Sequence, residues 1–185
     1  MERRKPYFPV FIDISEKRII VAGGGRIAER RIDTLLKFTA DITVVAPEVT
    51  DGIRKRVKEG KVSWIRKAFH KAARERQADE QKSLSDTEML LNNADMVLAA
   101  TNDAECNERI MRLCRERGIP VNVSHKKELC DFYFPAVVVK DNVTVGITSG
   151  GLSHAQARKV REQVEAVLGE EMCHAHSPLK NTDDI

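Results

Sequence analysis

The sequence predicts an α/β fold: a Rossmann-type parallel sheet, then a small β segment, then a carboxy-terminal helix. Three observations carry this. Up to Ser124, short apolar runs alternate with stretches of helical apolar spacing, the pattern of a parallel sheet wrapped by helices. The first run ends in Gly23-Gly24-Gly25 and opens straight into a helix. After Ser124 the alternation stops, and two neighbouring strands and one long helix remain.

Arg18 to Ala22 reads as a buried strand because its core, Ile19-Ile20-Val21-Ala22, is continuously apolar. In the helix that follows, Ala28, Ile32, Leu35 and Leu36 form one stripe, with Arg30, Arg31 and Lys37 on the other side. Ile42 to Val45 is the second strand, Asp51 to Glu59 a short charged helix stopped by Gly60, and Lys61 to Ile65 the third strand. Lys67 to Asn93 is polar with little periodic apolar content, which predicts an exposed, partly helical excursion. Met96 to Ala100 restores a buried strand. Ala104 to Arg117 places Cys106, Ile110, Leu113 and Cys114 on one helical face, Gly118 closes it, and Pro120 to Val123 is the last parallel strand. Phe132 to Val139 and Val143 to Thr148 read as a hairpin joined by Lys140-Asp141-Asn142. Ser153, with Gln156 three residues on, caps a final helix expected to end near Gly169.

The chain has 185 residues, 42% hydrophobic and 32% charged, enough for one real core with an appendage. The 31 basic and 28 acidic residues leave a net charge of +3, which supplies no concentrated basic face for nucleic acid. No apolar run approaches the roughly 20 residues of a membrane span, and Tyr7 to Ile12 is stopped by Asp13, so neither a span nor a signal peptide is expected. The four cysteines show no CxxC spacing, which fits a reducing cytoplasm.

Gly23-x-Gly25-x-x-Ala28 fits the dinucleotide fingerprint in its required setting, strand before and helix after. The chemistry needs a tight turn, close backbone approach to a pyrophosphate, and a small residue where helix meets strand. The usual ribose-binding acid at the end of the second strand is missing. Val45 is followed by Ala46 and Pro47, Glu48 is read as solvated, and no Arg stands ready for a 2′-phosphate, which favours NAD over NADP.

Six blocks stand in order: Tyr7-Phe8-Pro9-Val10-Phe11, Val21-Ala22-Gly23-Gly24-Gly25-Arg26-Ile27-Ala28, Val44-Val45-Ala46-Pro47, Ala99-Ala100-Thr101-Asn102-Asp103, Cys130-Asp131-Phe132-Tyr133-Phe134-Pro135-Ala136 and Thr148-Ser149-Gly150-Gly151. Together they resemble the precorrin-2 dehydrogenase and sirohydrochlorin ferrochelatase family, the siroheme synthase amino-terminal module, over about residues 6 to 168. The resemblance implies NAD-dependent oxidation of precorrin-2 to sirohydrochlorin, with ferrous iron inserted by those members that carry both activities. It implies an NAD-binding domain over 1–124, a dimerisation segment with exchanged strands over 125–150, and a terminal helix and tail over 151–185. A cytoplasmic homodimer with a tetrapyrrole substrate and no resident metal follows, with neither nucleic acid nor membrane as partner.

The candidate site residues divide by role. The pyrophosphate is expected at Gly23, Gly24, Gly25, Arg26 and Ile27. Ala46 and Pro47 match the residues the family has at that strand end, and Thr101 and Asn102 are read as lining the nicotinamide side. Asp103 is read as a helix cap rather than an acid–base group. His125 stands where the family commonly has its acid/base aspartate, at the carboxyl edge of a parallel strand, and is the catalytic candidate. Ser149, Gly150 and Gly151, with free backbone N–H groups at a helix start, and Arg158 on that helix are candidates for the substrate carboxylates. Cys173-His174-Ala175-His176 is read as a terminal coincidence rather than a metal site.

Two further departures from the family pattern bear on function. His154 replaces its usual proline, and the carboxy-terminal helical region is short. Loss of the acid at 125 and the short end also define an alternative, a non-catalytic NAD- or tetrapyrrole-binding module.

Overall fold

The computed structural model describes residues 7–69 and 90–174, with side chains as far as residue 169. The strands β1 (Ile19–Ala22), β2 (Ile42–Val45), β3 (Ser63–Ile65), β4 (Met96–Ala99) and β5 (Val121–Val123) pair in parallel in the order β3-β2-β1-β4-β5. β1 is central and buried at all four positions, as its unbroken apolar run requires. Its Ile20 and Ala22 share a core layer with Val97, Ala99 and the Cys106, Ile110 and Cys114 face of α3 (Ala104–Glu116). Helix α1 (Arg26–Leu35) buries Ala28, Ile32 and Leu35, the stripe its spacing predicts, and packs on β1 and on α2 (Asp51–Lys58). Each fully buried aliphatic side chain in such a layer stabilises by about 1.5–3 kcal/mol.

Local chemistry fixes the helix ends. Thr50 accepts from the Ile53 N–H, and Asp103 accepts from the Glu105 and Cys106 N–H groups. Gly60 and Gly118 terminate α2 and α3 with positive φ. The Asp103 cap is therefore as read from sequence. Burial pushes the Cys106 thiol up to about 11 and the Cys114 thiol up to about 12. At neutral pH both are packing groups and neither is a thiolate nucleophile.

The outer edge of β5 is closed by side chains as much as by backbone. The Cys130 thiol donates to Val123 O at 3.2 Å and accepts from Val123 N at 3.1 Å. Asp131 accepts from Val121 N through Oδ2, and its own N–H donates to Val121 O. Asn122 Nδ2 donates to Phe132 O at 2.7 Å. Residues 130–132 thus replace a further strand and blunt the edge. Cys130 had no assigned purpose in the sequence; here it has a structural one.

Three expectations need correction. Residues 70–89 of the polar excursion lie outside the described residues; in its flanks Lys67, Ala68, Asn92 and Asn93 are exposed, but Phe69 is 8% and Leu91 0% accessible, both in the core. The hairpin is β6 (Ala136–Lys140) with β7 (Val143–Ile147), and it begins after Phe132 because Phe132 O is engaged by Asn122 and Pro135 has no N–H to offer a ladder. The terminal helix α4 (His154–His174) runs through Gly169, which is not among the glycines of positive φ and so does not supply a left-handed stop.

The chain forms two compact units, Val10–Tyr133 and Met1–Pro9 with Phe134–Ile185. The parallel sheet belongs to the first. The β6–β7 hairpin and α4 belong to the second.

Candidate nucleotide-binding site

The strand order changes direction between β1 and β4, and at that point the loops leaving the carboxyl ends of both strands part to leave a crevice. A cleft of about 950 Å³ opens there. All nine candidate cofactor residues line it: Gly23 to Ile27 after β1, Ala46 and Pro47 after β2, and Thr101 and Asn102 after β4. Glu48 also lines it and is exposed.

The three glycines differ in why they must be glycine. Gly23 has φ +114°, and a Cβ on it would lie 2.2 Å from Ala100 O. Gly24 has an ordinary φ, but a Cβ there would meet Glu48 O at 2.1 Å. Gly25 has nothing within 4 Å of its Cβ position. It is also the N-cap of α1 and makes no side-chain capping bond. The first-turn N–H groups of α1 consequently meet an open cradle, the geometry that receives an anionic pyrophosphate on a helix dipole. The first two glycines build the turn, and the third leaves the room. On this test the residues present fit a dinucleotide.

The Ala46-Pro47 turn is held from β3. Trp64 Nε1 donates to Ala46 O at 2.9 Å, and Arg66 Nε donates to Pro47 O at 3.3 Å. The guanidinium groups of Arg54 and Arg66 lie 5.6 and 5.8 Å from the Trp64 ring centre. No periodicity in the sequence pairs Trp64 with Ala46. Its indole N–H in fact sets the wall of the cleft.

Asn107 is the residue that sequence reading missed. It is 0% accessible, on the buried face of α3, and its amide is used at both ends. Oδ1 accepts from Thr101 N at 3.0 Å and from the Thr101 hydroxyl at 2.8 Å, while Nδ2 donates to Thr101 O at 3.1 Å. Nδ2 also lies 3.4 Å from Nδ1 of His125. Thr101 in turn receives the Asp103 N–H on its hydroxyl. One buried amide therefore holds the cleft-lining loop and reaches the catalytic candidate. The only sequence signal was a polar residue on an otherwise apolar helical face, three places before Ile110.

His125 is exposed just past β5, where Ser124 N donates to Ala99 O and so extends the sheet toward the cleft edge. The structure thus joins His125 to Thr101 through Asn107.

The substrate candidates lie in the other unit, and their turn is more self-contained than expected. The Ser149 hydroxyl donates to Ser153 O and accepts from Ser153 N, and Gly150 N donates to the Thr148 hydroxyl. One N–H group expected to be free for an anion, that of Gly150, is engaged inside the turn. Gly150 and Gly151 both have positive φ, which the turn requires. Ser153 caps α4 by accepting from Gln156 N. Arg158 is exposed and pairs with Glu162 one turn on.

Residues 10–136 match the family described as "Putative NAD(P)-binding". The chain belongs to that family, and NAD(P) is the cofactor class its cleft is built for. Similar proteins include the siroheme synthases of Mannheimia succiniciproducens, 33% identical over 88% of this chain and 30% of theirs, and of Vesicomyosocius okutanii, 32% identical over 94% of this chain and 33% of theirs. A solved structure, "SirC, precorrin-2 dehydrogenase", superposes with a TM-score of 0.70 at 25% identity, covering 87% of this chain and 70% of that one. These relatives are siroheme synthases and a precorrin-2 dehydrogenase, the kind of protein that the six motif blocks resemble. The chain spans about a third of the length of those siroheme synthases.

Proposed function

We propose that the protein oxidises precorrin-2 to sirohydrochlorin with NAD as the oxidant, in siroheme biosynthesis. The observation that carries the reading is that the open cradle at Gly25 and the Thr101 loop line one cleft, and that a single buried amide, Asn107, joins that loop to His125. The relatives support it, being siroheme synthases and a precorrin-2 dehydrogenase.

Bound NAD supplies a two-electron acceptor: hydride and its electron pair leave a substrate C–H bond, and a proton leaves the macrocycle. The chain's own part is positional. The N–H groups at the start of α1 hold the pyrophosphate, Ala46 and Pro47 border the adenosine end, and Thr101 and Asn102 border the nicotinamide end. His125 is the catalytic group proposed to meet the substrate where that proton is lost, the proton itself passing to water. Gly151 and Arg158 are proposed to meet substrate carboxylates, with Ser149 and Gly150 shaping that turn. Ferrous iron, in a chelatase reaction, is a second substrate.

Residues 125–150, which include the β6–β7 hairpin, are proposed as the dimerisation segment of a homodimer, which the exposure of Val139 (37%) and Val143 (48%) supports. Among the described residues no helix is long and apolar enough to cross a membrane. The free thiols of Cys106, Cys114 and Cys130 support a cytoplasmic setting.

The test uses the cradle. Gly25→Ala is compatible with the glycine's φ of −84° and meets no atom, so its melting temperature should match wild type. Its KM for NAD in precorrin-2 oxidation should rise by about tenfold or more, with kcat largely retained at saturating NAD. An unchanged KM would remove the cradle from cofactor binding. NAD binding without any NADH formation in wild type would favour the non-catalytic module.

A further inference from the structure

We infer that Asn107 is a positioning residue that fixes the tautomer of His125, so that neutral His125 presents an N–H, not a lone pair, to the substrate. The inference rests on the proposal that His125 meets the substrate.

The orientation of the Asn107 amide is set by groups that cannot be exchanged. Thr101 N is a backbone donor, and the atom it meets at 3.0 Å must be the amide oxygen. Thr101 O is a backbone acceptor, and the atom it meets at 3.1 Å must be the amide nitrogen. Turning the amide over would set donor against donor and acceptor against acceptor at two buried positions, each costing about 1–3 kcal/mol. Asn107 is fully buried, so water cannot relieve either clash.

With the amide so fixed, the hydrogen facing His125 belongs to Nδ2, 3.4 Å from the ring Nδ1. Nδ1 must then be the acceptor, and in a neutral imidazole the proton sits on Nε2. A proton on Nδ1 would point at the Asn107 N–H. Nε2 is accordingly the outward nitrogen, and it carries hydrogen. His125 is suited to donating to an electron-rich or anionic group, such as a carboxylate or pyrrole nitrogen of the macrocycle. It is not arranged to take a proton through Nε2. The sequence position alone, where the family has an acid/base carboxylate, suggests a base; the amide behind the ring makes the replacement a donor.

The same amide holds Thr101, which borders the cofactor cleft. Asn107 therefore couples the placement of the nicotinamide wall to that of His125 without touching either ligand.

The experiment is nitrogen NMR of the histidine rings in the full chain, with the His125 signals assigned by their loss in His125→Gln. Near pH 8, wild-type His125 should show Nδ1 in the unprotonated range and Nε2 protonated. Asn107→Asp places an acceptor where Nδ2 was, and should move the ring to the Nδ1–H form. Its kcat should fall by about 100-fold, the lower end of what acid–base groups contribute, while a cooperative melt, lowered by the acceptor that now faces Thr101 O, separates this from unfolding. An Nδ1–H ring in wild type overturns the inference, as does an unchanged ring in a folded Asn107→Asp. If Asn107→Asp does not fold, the wild-type spectrum decides alone. The nitrogen shifts need no turnover, so a protein with the expected tautomer but no oxidation of precorrin-2 would sink the functional reading and leave this one standing.

Discussion

Gly23→Ala is expected to destabilise the protein by about 3 kcal/mol or more and to abolish NAD binding with it. Two costs add. A side chain at φ +114° leaves the allowed regions for an L-residue, worth about 1–3 kcal/mol. The new Cβ would also lie 2.2 Å from Ala100 O, an atom that cannot move aside cheaply, because Ala100 N donates to Ala22 O at 2.7 Å at the end of the β1–β4 ladder. Relief requires parting the two central strands at the point where the cleft begins. Urea unfolding should show the midpoint shifted down with a similar slope. A variant with wild-type stability would mean that the β1 turn is not as close to β4 as described.

His125→Ala is expected to do the opposite, leaving fold and cofactor affinity alone and lowering kcat. The ring is exposed, and among the described residues it is bonded through the 3.4 Å approach of Asn107 Nδ2, so its removal should change stability by less than about 1 kcal/mol. Positioned acid–base groups contribute about 10²–10⁴-fold to rate, and a loss of at least 100-fold in kcat is expected, with the Kd for NAD within about twofold. Steady-state NADH formation and a separate NAD titration check the two halves. Unchanged turnover would take His125 out of the reaction.

The contrast between these variants shows what the sequence makes legible. Period and punctuation place every strand of the parallel sheet, since Ile19 to Ala22, Met96 to Ala99 and their neighbours are local apolar runs set off by glycine, proline or polar residues. The glycine loop and the strand-end residues follow from that frame, and all nine candidate cofactor residues line one cleft. Features that depend on long-range partners are not legible. Trp64 reaches Ala46 across β2 and β3, Cys130 closes the edge of β5, and Asn107 ties Thr101 to His125; none of these pairings has a periodicity to betray it. Gly169 looked like a helix stop because composition marks the residue and not its φ. The Ser149 turn reads as open to an anion because a count of N–H groups cannot reveal that the Thr148 hydroxyl engages that of Gly150.

The most direct measurement is anaerobic mixing of the purified protein with precorrin-2 and NAD, recording NADH absorbance and the macrocycle spectrum together. NADH and sirohydrochlorin rising together in equal amounts is the result expected of a dehydrogenase built on this cleft. Bound NAD with a flat NADH trace and an unchanged precorrin-2 spectrum would contradict it.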